Sequence, residues 1–184
     1  FNLVQCRPLQ TRGLGKNIEI PKLDSKEECL FYSEGNFMGG NLRIPVDKII
    51  FVDIHEYLEM PEQEKYQVAR YIGKLNQILK NQNVLLMGPG RWGTTTPSLG
   101  VPVHFTEISH MAAICEISYQ DEGLMPELSY GSHFFQDLVE SGVFYIALFK
   151  EQKNVVFHEE MLKKENLLAN YISEAEDYKK CIQV

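Results

Sequence analysis

"DKIIFVDIHEYLEMPEQEKYQVARYIGKLNQILKNQNVLLMG", Asp47–Gly88, reads as a strand, a helix and a second strand. In the opening "DKIIFVDI", the residues Ile49, Ile50, Phe51 and Val52 are apolar without a break, as in a sheet covered on both faces. Pro61 then opens a helix in which Val68, Ile72, Leu75 and Leu79 recur at helical spacing. Proline is tolerated there because the first amides of a helix lack intrahelical partners. Glu62 and Glu64 in the first turn, with Lys80 near the end, match the partial charges of helix termini. Gly73 costs about 1 kcal/mol against alanine within a helix; close packing against the sheet would give it a reason. "NVLLMG", Asn83–Gly88, is the next strand.

The pattern continues on both sides. "AAICEIS" (112–118) is another buried strand, and "VFYIALF" (143–149) is the strongest strand of the chain. Between them, Ser132 caps a helix over "HFFQDLVES", with Gly142 as its stop. "NVVFH" (154–158) is expected to pair with "VFYIALF" as a hairpin, and "KCIQV" (180–184) to close the chain with a short strand. Upstream, "FNLVQC" (1–6) reads as a strand and "CLFYS" (29–33) as a further apolar group. "EGNFMGGNLRIP" (34–45), with Gly35, Gly39 and Gly40, is a hairpin, a loop or a binding turn. "VPVHF" (101–105) is a short strand or an extended edge piece. This order predicts an α/β or α+β fold, a mixed and mainly buried sheet with packed helices.

The 184 residues fit one sizeable domain, or a domain with an appendage. No run approaches the length needed to cross a bilayer, so no membrane role is expected. The four cysteines, Cys6, Cys29, Cys115 and Cys181, have neither metal-knuckle nor redox-pair spacing. They read as thiols of a cytoplasmic protein. The formal net charge is -7. Between Lys80 and Lys150 the one Lys or Arg is Arg91, against Glu107, Glu116, Asp121, Glu122, Glu127, Asp137 and Glu140. Nothing there would meet a nucleic-acid backbone. Arg91 stands out as an anion ligand in an acidic stretch.

Two segments could carry chemistry. The first is "GPGRWGTTT", Gly88–Thr96, directly after a buried strand. Glycines such as Gly88 and Gly90 expose amides, and consecutive amides can cradle an anion. Arg91 offers a two-pronged grip, Trp92 a stacking surface or a wall, and Thr94 a hydroxyl. The alternative is that Arg91 braces the loop against a carboxylate such as Glu116 or Asp137 while Trp92 fills the core. The string lacks the Lys-Ser or Lys-Thr ending of a triphosphate loop, and its formal GxGxxG match has no helix after it. The second segment is "SYGSHFFQD", Ser129–Asp137. It delivers His133 to a helix start, where amides favour an anion. Asp137 follows four residues later on the same helical face, making an acid–base pair conceivable. Arg91 and His133 are expected to approach one cleft near strand ends. His104 could face the same cleft, and no histidine pair has zinc-site spacing, so no metal site is expected.

"LLMGPGRWGTTTPSLGVPVHFTEIS" and "GSHFFQDLVESGVFYIAL" resemble the C-terminal region of proteins related to phosphoenolpyruvate synthase and pyruvate, phosphate dikinase. "FNLVQCRPLQ" is similar to the last strand of their ATP-grasp module, which commonly ends in Gln-x-Arg-Pro; here this is Gln5, Cys6, Arg7 and Pro8. The resemblance implies that residues 1–10 end an upstream ATP-grasp-like module and that 11–184 form one C-terminal α/β domain. It implies ATP and Mg in the parent protein, bound almost wholly by residues before Phe1. Gln5 and Arg7 alone inherit an ATP-side role. The parent's phosphohistidine signature has no counterpart, since "TTTPS" contains no histidine. The domain is therefore expected to be an accessory to a phosphotransferase, with an anionic small molecule and the upstream module as its partners. A purely structural domain is the alternative.

Overall fold

A computed structural model describes residues 18, 29–34, 37–38, 42–119 and 132–184. Its centre is a six-stranded sheet. In chain order the strands are β2 (Phe37–Met38), β3 (Lys48–Val52), β4 (Val84–Pro89), β5 (Ala113–Ser118), β6 (Phe144–Phe149) and β8 (Ile182–Gln183). Their spatial order is β2-β6-β5-β4-β3-β8. The four long strands β3 to β6 run parallel, and the two short edge strands are antiparallel. A separate antiparallel pair joins β1 (Phe31–Tyr32) to β7 (Val156–Phe157). The fold is α/β with a mixed sheet.

Parallel neighbours need long connections, and right-handed crossovers between consecutive strands all fall on one face. That face carries α2 (Glu62–Ile78) and α3 (His133–Ser141). Ile50, Val52, Leu86, Ile114 and Tyr145 point to it and pack with Val68, Ile72 and Leu75 of α2 and Leu138 of α3. The alternate residues Phe51, Leu85, Met87, Cys115 and Leu148 face the other side. There Ile54, Phe31 and Phe157 pack against them. Double coverage explains why these strands read as unbroken apolar runs.

Three expectations are corrected. "DKIIFVDI" stops as a strand at Val52, because the Asp53 carboxylate accepts the amide of Glu56 at 3.1 Å and caps a short helix, α1 (Ile54–Glu59). "NVVFH" pairs with β1, not with β6, whose own edge is taken by β2. "VPVHF" is no strand; Val101 and Val103 are buried, and the chain makes a 3-10 turn at Phe105–Glu107. The closing strand is present as β8, bonded to β3. The expected first strand at residues 1–6 lies outside the described residues, as do Gly35, Gly39 and Gly40.

Candidate functional site

β4 ends at Pro89, at the carboxyl edge of the parallel strands. The chain then turns on Gly90 and Gly93, with φ of 62° and 75°. A Cβ at Gly90 would run into the carbonyl oxygen of Leu99, so both conformation and space call for glycine. The loop closes on itself. Arg91 N donates to Leu99 O at 2.9 Å, and Gly93 N to Val101 O at 3.1 Å. Gly90 N donates to Ile117 O at 2.9 Å, at the end of β5. Trp92 N donates to Glu116 Oε1 at 3.0 Å. These four consecutive amides were the expected anion cradle. They are instead committed to protein acceptors, as buried peptide groups must be.

Trp92 is only 1% exposed. Its ring lies over Gly88, where a Cβ would come within 2.7 Å of it, and its Nε1 donates to Cys115 O at 3.3 Å. The indole is therefore core material, with no face open for a base to stack on. Thr94 closes a local turn, its hydroxyl donating to Thr96 O at 3.3 Å and accepting from Thr96 N at 3.1 Å. The tail of the loop is held by Tyr57 of α1, whose buried hydroxyl donates to Gly100 O at 2.8 Å. Burial pushes the Tyr57 phenol well above its usual range.

Glu116 does more than the sequence reading gave it, which named it only beside Asp137 as a carboxylate for Arg91 to pair with. It sits in β5 with no exposure and accepts the Tyr145 hydroxyl on Oε2 at 2.5 Å. An acidic residue inside the apolar run "AAICEIS" was the available signal, since a buried carboxylate needs partners.

The second segment begins as expected. Ser132 Oγ accepts the amide of Phe135 at 3.2 Å, and Gly142 stops α3 in a left-handed conformation. Because α3 descends from the end of β5 to the start of β6, its first turn lies at the same sheet edge as the loop after β4. The two touch there: a Cβ on Gly93 would collide with the ring of Phe134. Arg91, half-buried, precedes that contact by two residues, and the exposed His133 adjoins it. Asp137 is also exposed, one helical turn along. The structure thus gathers Gly88, Gly90, Arg91, Trp92, Thr94, His133 and Asp137 at or near one edge. Gln5 and Arg7 fall outside the described residues.

His104 is exposed, and its amide donates to Glu107 Oε2 at 2.8 Å. That carboxylate also takes Arg70 at 2.6 Å, tying the 3-10 turn to α2. Buried Asn76 completes the tie, accepting the amide of His110 at 2.9 Å and donating to Thr106 O at 3.3 Å. Burial pushes the thiols of Cys115 and Cys181 far up, so neither is a ready nucleophile. Among the described residues no group of three or more His, Cys, Asp or Glu is placed to hold a metal ion. No helix among them is long and apolar enough to cross a membrane.

Comparison with known proteins returns no matching family, no curated relative and no matching solved structure.

Proposed function

We propose that this chain is the C-terminal accessory domain of a phosphoenolpyruvate synthase-like, ATP-dependent phosphotransferase, and that it contributes an anion site without being catalytic alone. The contact of Gly93 with Phe134 carries this reading, because it holds the Arg91 loop against the helix start bearing His133. The occupied amides confine the site to side chains. Arg91 supplies a permanent cation with bidentate geometry, and His133 a ring nitrogen at a helix N-terminus. ATP and Mg belong, in this reading, to an upstream ATP-grasp-like domain that ends at Gln5 and Arg7. His133 and Asp137 are both exposed, so acid–base work by this pair would need that domain to close over them. The protein acts in the cytoplasm, with neither nucleic acid nor membrane as partner.

Calorimetry of the chain against phosphate, phosphoenolpyruvate, ADP and ATP tests the proposal. Binding at millimolar concentration or tighter is expected, weakened about tenfold or more in Arg91→Ala by loss of charge-assisted hydrogen bonds. No heat with any of the four ligands would sink it.

The internal use of the loop amides and the burial of Trp92 favour a second reading, a domain that packs on a kinase-like module with no ligand of its own. On that reading Arg91→Ala lowers the unfolding temperature and weakens assembly, while the unaltered chain binds none of the four anions.

A further inference from the structure

Ser118, the last residue of β5, is 1% exposed, and its hydroxyl has no hydrogen-bond partner among the described residues. Strand alternation puts it on the same face as Glu116, the face on which α3 packs. On one side of it the Gly90 amide bonds to Ile117, so the turn carrying Arg91 runs alongside. On the other side it is in register with Phe149 of β6. Ser118 therefore sits beside the turn that carries Arg91, on the sheet face that α3 covers. A second orphan lies on α3. Gln136, in the first half of α3, has a buried Oε1 with no partner among the described residues. Helical side chains lean back toward the helix N-terminus, here toward the same edge.

We propose that Ser118 and Gln136 form the floor of this site and select a protonated oxyanion, hydrogen phosphate, over sulfate; this rests on the anion-site reading above. Leaving such groups buried and unpaired is unfavourable, so an occupant that satisfies them gains affinity. A serine hydroxyl donates or accepts, whereas an amide oxygen accepts only. An occupant satisfying both, beside the Arg91 cation, must carry negative charge, an acceptor oxygen and a proton to give. Hydrogen phosphate has all three near pH 7. Sulfate has no proton there and leaves Gln136 Oε1 unpaired.

The test is calorimetry of the chain at pH 7 with sodium phosphate and, separately, sodium sulfate. Phosphate is expected to bind about tenfold or more tightly than sulfate, the difference a hydrogen bond to a charged group makes. Ser118→Ala should weaken phosphate by about tenfold with an unfolding temperature of the ligand-free chain that does not fall, since it deletes a buried hydroxyl that no hydrogen bond among the described residues offsets. Gln136→Leu should bring the phosphate-to-sulfate ratio toward one. Equal affinities for the two anions, or unaltered phosphate binding in Ser118→Ala, overturn the selectivity and leave the anion site standing. Absence of binding by either anion overturns both.

Discussion

Oε1 of Glu116 accepts the backbone amide of Trp92 at 3.0 Å in the interior of the protein. The second oxygen takes the Tyr145 hydroxyl at 2.5 Å, so one carboxylate on β5 ties the loop after β4 to strand β6. Glu116→Ala strands two buried donors, each costing about 1–3 kcal/mol. A loss of about 3 kcal/mol or more is expected, read as a lower denaturant midpoint at unchanged slope. Glu116→Gln keeps the shape and one acceptor and should lose less. An alanine variant within about 0.5 kcal/mol of the unaltered chain would mean that this carboxylate does not organise the loop.

Gly93 links the same loop to α3. At φ 75° any other residue is strained, and a Cβ would also meet the ring of Phe134. Left-handed backbone costs an L-residue about 1–2 kcal/mol, and that part is independent of the ring. Gly93→Ala should therefore cost more in the unaltered chain than in a Phe134→Ala background. The double-mutant cycle should return a coupling of about 1 kcal/mol or more. Strict additivity would show that loop and helix are not in contact, and the shared edge of Arg91 and His133 would go with it.

What the sequence disclosed follows the range of each interaction. Unbroken apolar runs at Ile49–Val52 and in "VFYIALF" announced doubly covered strands, because burial on both faces leaves its mark residue by residue. The 3.6-residue spacing of Val68, Ile72, Leu75 and Leu79, and the cap at Ser132, are equally local. Helix α1 was hidden because Asp53 and Ile54 extend an apolar strand in the sequence, and only the Asp53 side chain turning back onto Glu56 ends it. The partner of "NVVFH" was not legible either. Strand pairing is a long-range choice, and β1 lies over a hundred residues upstream. The glycines of "GPGRWG" signalled special backbone correctly, but not its purpose. Whether exposed amides meet a ligand or a carbonyl depends on Leu99, Val101 and Ile117, none of which a local motif can supply.

Gly73 carries the last prediction, and its sign depends on one neighbour. In an exposed helix interior, Gly→Ala stabilises by about 1 kcal/mol. Close packing against the sheet was the expected reason for glycine here. The neighbour is instead Glu107, whose Cγ would lie 2.9 Å from an added Cβ. A long side chain would ordinarily move aside at little cost. Glu107 is held, however, by Arg70 at 2.6 Å and by the amide of His104 at 2.8 Å, so yielding breaks the brace between α2 and the 3-10 turn. Gly73→Ala should accordingly destabilise the unaltered chain by about 1 kcal/mol, the scale of a lost hydrogen bond net of the helix gain. In a Glu107→Ala background the clash is gone, and the same substitution should stabilise by up to about 1 kcal/mol. Chemical denaturation of the four chains measures both. If Gly73→Ala stabilises in both backgrounds, Glu107 moves freely and its contact with the half-exposed Arg70 is worth no more than an ordinary surface pair.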